Sequence, residues 1–87
     1  MKIYGTYLKE MKNKTKVAEN GYFRAYVLEG IENWTNRYLY KAFVERPSGT
    51  SSVEGFYDNF EETEKLAVEL MNEQIEIRNE IKNFKEN

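Results

Sequence analysis

The chain has 87 residues, with 13 Lys and Arg against 15 Asp and Glu, and it contains neither His nor Cys. A chain of this length suits one domain, which we place over residues 1–87, and buries roughly 60% of its unfolded surface, so its core is small. The absence of Cys excludes a disulfide framework, and the absence of His and Cys excludes the commonest general base, the thiol nucleophile and the soft metal ligands.

The first two thirds of the chain carry the alternating pattern of β-strands. β-Branched and aromatic residues, which strands favour, alternate there with polar ones. This alternation predicts strands over residues 2–11, 22–29, 37–46 and 52–57. Because strands joined by short connections usually pair with their neighbours, we expect an antiparallel meander of three or four strands.

Polar and turn-forming residues separate these strands. Residues 12–16, with the sequence Lys-Asn-Lys-Thr-Lys, are predicted to form a solvated loop, and the Asn-Gly pair at residues 20–21 is predicted to form a turn. Residues 30–36 are predicted to be a connection that carries an exposed Trp34. Residues 47–50, which begin with the single Pro of the chain, are predicted to form a hairpin loop.

Residues 59–85 have helical periodicity. Apolar and small residues recur there at intervals of three and four. Asn59 with Glu62 three residues later matches a helix N-cap, and the helix dipole stabilises further acidic residues in the first turn. We therefore expect an α+β fold, in which the antiparallel three- or four-stranded meander is followed by one long C-terminal helix packed on one sheet face.

The helix is predicted to extend beyond the sheet that it covers. About 26 residues of helix span roughly 39 Å, whereas strands of six to eight residues span about 20 to 27 Å. Apolar residues near the helix C-terminus are therefore expected to seek a second chain, unless the whole apolar stripe packs on the chain's own sheet.

A heptad pattern favours self-association of the helix. Glutamates and basic residues flank the apolar positions, as in Glu73 with Arg78, and such pairs cross the seam of a parallel two-stranded coiled coil. The residues predicted at the dimer contact are Leu70, Gln74, Ile77, Ile81 and Phe84.

Charge is distributed unevenly between the sheet and the helix. Residues 1–57 contain nine bases and six acids, whereas residues 58–87 contain four bases and nine acids. Four glutamates fall on one side of the helix, where they form either a solvated face or a surface that docks a basic partner. These residues are Glu69, Glu73, Glu76 and Glu80.

The sheet face that the helix leaves uncovered is predicted to interleave aromatic rings with positive side chains. Tyr, Trp and Arg dominate the energetics of protein interfaces, and rings beside bases can also stack on nucleic-acid bases. Strand propensity alone also accounts for Tyr on a half-exposed sheet. The candidate partner-binding residues are Tyr22, Arg24, Tyr26, Trp34, Arg37, Lys41 and Phe43.

Groups that carry out catalysis are scarce in this sequence. With no His, no Cys and no Gly-rich phosphate loop, we expect no enzymatic activity, no cofactor and no metal site. The first residues lack the apolar core of a signal peptide, and the chain has no run of about 18 apolar residues. A soluble cytoplasmic protein that does not bind membranes is therefore expected.

Two functional hypotheses follow. The first is a non-enzymatic protein-binding module that forms a homodimer through its helix. Its small size and its richness in Lys, Asn, Glu and Ile fit a phage or mobile-element inhibitor that blocks a host protein by occupying it, of the anti-CRISPR-like type. The alternative is a nucleic-acid-binding module that uses the open sheet face and the lysines of residues 12–16, which the acidic pI of about 5.2 disfavours.

Overall fold

The fold is an antiparallel sheet followed by one C-terminal helix, which confirms the predicted α+β class. A computed structural model describes the backbone of residues 2–3 and 7–86 and the side chains of residues 3 and 7–79. Six strands and one helix follow one another in this part of the chain. They are β1 (Lys2–Ile3), β2 (Leu8–Asn20), β3 (Phe23–Glu32), β4 (Tyr38–Arg46), β5 (Gly49–Ser52), β6 (Phe56–Tyr57) and α1 (Phe60–Glu86).

The strands form one sheet in the order β1-β6-β4-β3-β2. The central meander of β2, β3 and β4 agrees with the predicted pairing of neighbouring strands. β5 and β6 share the other side of β4, where β5 pairs with residues 43–46 and β6 pairs with Tyr40. The β2–β3 turn contains Gly21 with a φ of 61°, a left-handed conformation that Gly adopts without strain.

The prediction of a loop at residues 12–16 is wrong. This segment lies inside β2 and pairs with β3, for example Lys14 with Leu28 and Thr15 with Val27. The pairing with β3 outweighs the weak strand propensity of Lys and Asn, because the exposed edge of a sheet tolerates polar side chains that extend into water. Three register shifts interrupt the β2–β3 ladder, and such irregularities increase the twist of an edge strand.

Two further strand predictions need correction. The single strand predicted over residues 2–11 is divided between β1 and β2, which lie at opposite ends of the strand order. The strand predicted over residues 52–57 is divided between β5 and β6, and Gly55 has a φ of 84° between them. β3 is also longer than predicted, because it continues through Gly30 to Glu32.

The core lies between the helix and one face of the central strands. Small residues dominate this covered face, so the helix backbone can approach the sheet closely. Around the core, half-buried side chains from β2, from the segment after β5 and from the helix add apolar contact, among them Val17, Leu66 and Ile75. The core residues are Phe23, Ala25, Ala42, Val44, Ala67 and Met71.

The start of α1 is fixed by the predicted cap. The amide nitrogen of Glu62 donates to Asn59 Oδ1 at 2.9 Å, and the hydroxyl of the fully buried Thr63 donates to the Asn59 carbonyl oxygen at 2.7 Å. The Phe60 ring meets the Tyr40 ring edge to face at a centroid distance of 5.7 Å. These contacts place the first turn of α1 near the middle of the sheet.

The helix extends beyond the sheet, but the predicted difference in length between helix and strands is only part of the reason. The central strands have 9 to 13 residues, more than the six to eight on which the length comparison rested, which reduces the mismatch in length. α1 begins near Tyr40 and runs along β4 toward Arg46 and beyond it. Among the described side chains of α1, which end at residue 79, Ile75 is the last that is half-buried, and residues 76–79 are exposed.

Candidate functional site

The sheet face opposite α1, here called the open face, carries a layer of aromatic rings and lysines. On neighbouring strands β3 and β4, the rings of Tyr26 and Phe43 lie 6.0 Å apart, centroid to centroid. Lys14 on β2 places its ammonium 4.3 Å from the Tyr26 centroid and 5.2 Å from the Phe43 centroid. These distances are those of cation–π contacts, so rings and a base interleave here, and the base is Lys14, which was predicted to lie in a solvated loop.

Carboxylates on the same face neutralise these bases. Glu45 accepts a hydrogen bond from Lys14 at 3.3 Å, and the Tyr26 hydroxyl, with Lys14 as a second cause, lowers the pKa of the Glu45 carboxyl. Glu19 accepts from Lys16 and from Arg24, each at 3.0 Å. The open face therefore holds ionised pairs at neutral pH.

Glu19 is the centre of a three-residue ion-pair cluster at one end of the open face. The hydrogen bonds from Lys16 and Arg24 lower the pKa of the Glu19 carboxyl, and the Glu19 carboxylate raises the pKa of the Arg24 guanidinium. All three side chains are about half exposed to solvent, so the bases remain accessible to a partner although their charge is compensated.

Lys41 and Arg37 are also engaged within the chain. The Lys41 ammonium donates to the Gly55 carbonyl oxygen at 3.3 Å and lies 5.0 Å from the Phe56 centroid. Arg37 Nε donates at 2.8 Å to Glu32, whose side chain is 6% exposed. A buried carboxylate requires such a partner, so Arg37 has a structural role that its position in the sequence did not indicate.

The open face is not open along its whole length. Leu39 alternates with Lys41 and Phe43 on β4 and so lies on the same side of the sheet, yet it is fully buried. Its register partner is Gly30, and a Cβ at Gly30 would lie 2.6 Å from Leu8 Cδ1. Leu8 therefore packs directly against the backbone of β3, which restricts the accessible rings to the other end of the face.

Large aromatic side chains are exposed at both ends of the sheet. Tyr22 in the β2–β3 turn is 82% exposed, and Trp34 in the β3–β4 connection is 77% exposed, as its polar surroundings predicted. Sequence reasoning missed Tyr7 and Tyr38, which flank the same connection; the amide nitrogen of Asn33 donates to the Tyr7 carbonyl oxygen at 2.9 Å. The sequence did not mark them as exposed, because Tyr38 alternates with Tyr40 and Ala42 on β4 and Tyr7 lay inside the strand predicted over residues 2–11.

A pocket of about 430 Å³ lies between the β2–β3 turn and the β4–β5 turn. We call it the turn pocket. Two arginines, one glutamate, one tyrosine, one threonine, one proline and one glycine line it, so its wall is partly polar and partly apolar, and the charged residues sum to one positive charge. The lining includes Tyr22, Arg24, Glu45, Arg46, Pro47 and Thr50.

The helix residues singled out in the sequence divide into three groups. Leu70 packs at the edge of the core, and Gln74 Oε1 accepts a hydrogen bond from Arg46 Nη1 at 2.6 Å, so both contact the chain's own sheet. Ile77 lies beyond the sheet and is 43% exposed. Ile81, Phe84 and Glu80 lie outside the described side chains, and the remaining acidic residues are exposed, namely Glu69, Glu73 and Glu76.

The described residues offer neither a metal site nor a membrane-spanning helix. The described side chains contain no group of three or more carboxylates that could hold a metal ion. Over the same part of the chain, α1 is too polar to cross a membrane. Comparisons with protein-family models, with curated proteins and with solved structures found no match for the chain.

Proposed function

We propose that the chain is a non-enzymatic protein-binding module whose open face contacts a protein partner. The observation that carries this proposal is the layer of accessible rings, Tyr26 and Phe43, in which the neighbouring bases are already paired with carboxylates. Such a surface has little net charge and much amphipathic area. Those are the properties of protein interfaces, where Tyr, Trp and Arg supply most of the binding energy.

The alternative, a nucleic-acid-binding module, has weaker support. Its predicted bases include Lys12, Lys14, Lys16 and Arg24, and each forms an ion pair with a glutamate. Affinity for a phosphate backbone depends on bases that release counterions when they bind. Bases already compensated by Glu10, Glu19 and Glu45 would release fewer counterions, which favours a protein partner.

An inhibitor from a phage or mobile element, of the anti-CRISPR-like type, is the specific form of this function that we favour. A protein that acts by occupying a host protein needs a binding surface and no catalytic group. The small size of the chain, its lack of His and Cys, and its composition support this form.

The proposal is tested by capture of the partner from lysate, followed by affinity measurement with the purified partner. Tyr22→Ala and Trp34→Ala remove exposed rings, so the fold should not change. We expect at least one of them to weaken binding by about tenfold or more, as interface anchors do. Glu73→Ala on the helix is the control: if it abolishes binding while both aromatic variants bind normally, the acidic helix face is the interface and the open face is not.

A salt titration with duplex DNA decides on the alternative function. A chain that makes several phosphate contacts loses affinity steeply between about 50 and 200 mM salt. We expect no binding even at the lower concentration. Tight binding that weakens steeply over this range would support the nucleic-acid-binding module instead.

We also propose that the chain forms a homodimer through the part of α1 beyond the sheet. Support comes from the exposed Ile77 and from the heptad pattern that continues to Ile81 and Phe84 in the sequence. Sedimentation should give twice the chain mass of 10.4 kDa for the wild type and the single mass for the double variant Ile77→Glu, Ile81→Glu. A wild type that sediments at the single mass at all concentrations excludes the dimer.

A further inference from the structure

β5 is an edge strand with no partner strand on its outer side among the described residues. β6 and β1 extend the sheet beyond Tyr40, whereas β5 pairs with β4 alone. The amide nitrogen of Val53 donates to the Ala42 carbonyl oxygen at 3.1 Å, and hydrogen-bonded pairs recur at every second residue of an antiparallel ladder. Thr50 and Ser52 lie between such pairs, so their N–H and C=O groups point away from β4.

The opposite edge of the sheet is protected against strand pairing, whereas the edge at β5 is not. β2 carries four lysines and two glutamates, and three register shifts interrupt its ladder with β3. Charged side chains and irregularities of this kind prevent a sheet edge from pairing with a further strand. β5, with the sequence Gly-Thr-Ser-Ser, has no charged side chain and pairs with β4 without a register shift. Of these two edges, the one at β5 can accept a strand.

A strand added at β5 would extend the open face next to its aromatic rings. Thr50 and Ser52 are the register partners of Glu45 and Phe43, so their side chains lie on the open face. Both are small and exposed. A large side chain on the added strand can therefore reach over Ser52 to the half-buried Phe43 ring. The surface proposed above to contact a protein partner is thus continuous with the free edge of β5.

From this arrangement we infer that β5 pairs with an extended segment of the protein partner, which adds a strand to the sheet. Thr50 and Ser52 offer two donors and two acceptors at strand spacing, a pattern that an extended backbone matches and a helix does not. The segment is uncharged and presents aromatic or β-branched side chains to the open face, where a ring and small neutral side chains receive them. This inference rests on the proposed protein-binding function and adds the conformation and chemistry of the partner to it.

The first test is an NMR titration of the full, isotope-labelled chain with the capped pentapeptide Thr-Tyr-Thr-Val-Thr. We expect saturable shifts of the backbone amides of Thr50 and Ser52. The peptide N-methylated at its Tyr and Val amides should bind about tenfold more weakly or worse, because it lacks the donors that face β5. The matched control is N-methylation of the central Thr amide, which points away from β5 and should leave binding unchanged. No shifts from the unmodified peptide, or equal binding of all three peptides, would overturn the inference.

Variants of β5 carry the test to the captured protein partner. Thr50→Pro and Ser52→Pro each remove one outward N–H without removing a bond to β4, and each should weaken partner binding about tenfold or more. Thr50→Ala and Ser52→Ala keep the N–H and should bind normally. Hydrogen exchange of the wild type gives an answer that needs no substitution, because the amides of Thr50 and Ser52 should exchange about tenfold more slowly or less in the complex.

Each alternative gives a different result. Amides of Thr50 and Ser52 that exchange more slowly as the free chain is concentrated would assign the edge to a second copy and overturn the inference. Equal losses of partner binding with the alanine and proline variants would overturn it too, because the partner would then recognise side chains. If the partner binds the folded proline variants as it binds the wild type but loses affinity with Trp34→Ala, strand pairing fails while the protein-binding function stands.

Discussion

The two faces of the central strands use alternate residues of the same sequence in different ways. On the covered face Ala25 and Ala42 are fully buried, as is Ala67 of α1, and their small size allows sheet and helix to pack closely. On the open face Tyr26 and Phe43 are half-buried and are held by contacts with Lys14. Apolar burial therefore fixes the fold, whereas the open face keeps long amphipathic side chains at the solvent boundary.

This difference has an energetic consequence. Each large apolar side chain buried on the covered face contributes about 1.5–3 kcal/mol, whereas exposed ion pairs contribute about 0 to 1 kcal/mol each. The open face is thus free to change its side chains with little loss of stability. Surfaces of this kind can be adapted to a partner without affecting the core beneath them.

The largest expected effect is the loss of a core side chain from the helix. Met71 is 4% exposed and packs in the core, so Met71→Ala should reduce the free energy of unfolding by about 2–4 kcal/mol through lost burial and the cavity that remains. Ile77→Ala, six residues further along the same helix, is the matched control. At chain concentrations at which the protein is monomeric, its change should stay below about 0.5 kcal/mol.

Urea unfolding of the two variants measures this difference. If Ile77→Ala destabilises the monomeric chain as much as Met71→Ala, the helix beyond the sheet is buried within the monomer and the contrast between the two regions is incorrect. Repeating the measurement at several chain concentrations shows whether a second copy supplies that burial, because the stability of a dimer depends on concentration.

The sequence predicted the covered face of the sheet well, because the sequence signals for that face are local and periodic. Alternation on β3 and β4 separates Ala25, Val27 and Val44, which are buried, from the aromatic and basic residues of the other face, and the Asn59 cap marks the start of α1. The strand through residues 12–16 could not be predicted in the same way. That segment has no apolar alternation and is a strand only because β3 offers it a hydrogen-bonding edge.

The second-largest expected effect is a loss of stability at the end of the open face where Leu8 packs against Gly30. A Cβ at Gly30 would lie 2.6 Å from Leu8 Cδ1 and 2.9 Å from the Glu10 carbonyl oxygen. Because the second contact is with backbone, Gly30→Ala should shift β2 and reduce stability by about 1–3 kcal/mol. Gly21→Asn is the matched control, since Gly21 has open space and a φ that Asn tolerates.

Urea unfolding again provides the measurement, with equal slopes required for the comparison. A Gly30→Ala variant as stable as the wild type would mean that Leu8 moves aside freely. In that case the open face would extend to Leu39, and the accessible ring surface would be larger than the structure indicates.

The sequence predicted which residues form the candidate site. It did not predict the ion pairs among them. Tyr26, Phe43 and Arg24 lie on the open face as alternation indicated. Their pairing with Glu19 and Glu45 depends on the register between strands, which sequence alone does not specify. The turn pocket arises where two turns that are distant in the chain meet, so no local pattern could indicate it.

The smallest expected effect is the pH dependence contributed by the open face. The pKa values of Glu19 and Glu45 are lowered from the ordinary value of 4.5 by the hydrogen bonds of Lys16 and Tyr26 respectively, with Arg24 and Lys14 assisting. Each lowered pKa contributes stability that is present above pH 4.5 and is lost as the pH falls through the folded-state pKa. The double variant Glu19→Gln, Glu45→Gln should therefore lose less stability between pH 7 and about pH 3 than the wild type does.

Salt provides the control for this effect. At about 1 M salt the screening length falls to roughly 3 Å, so the two pH profiles of stability should approach each other. Profiles that coincide already at low salt would show that these ion pairs do not persist in solution. The bases of the open face would then be uncompensated, and a protein partner would no longer be favoured over nucleic acid.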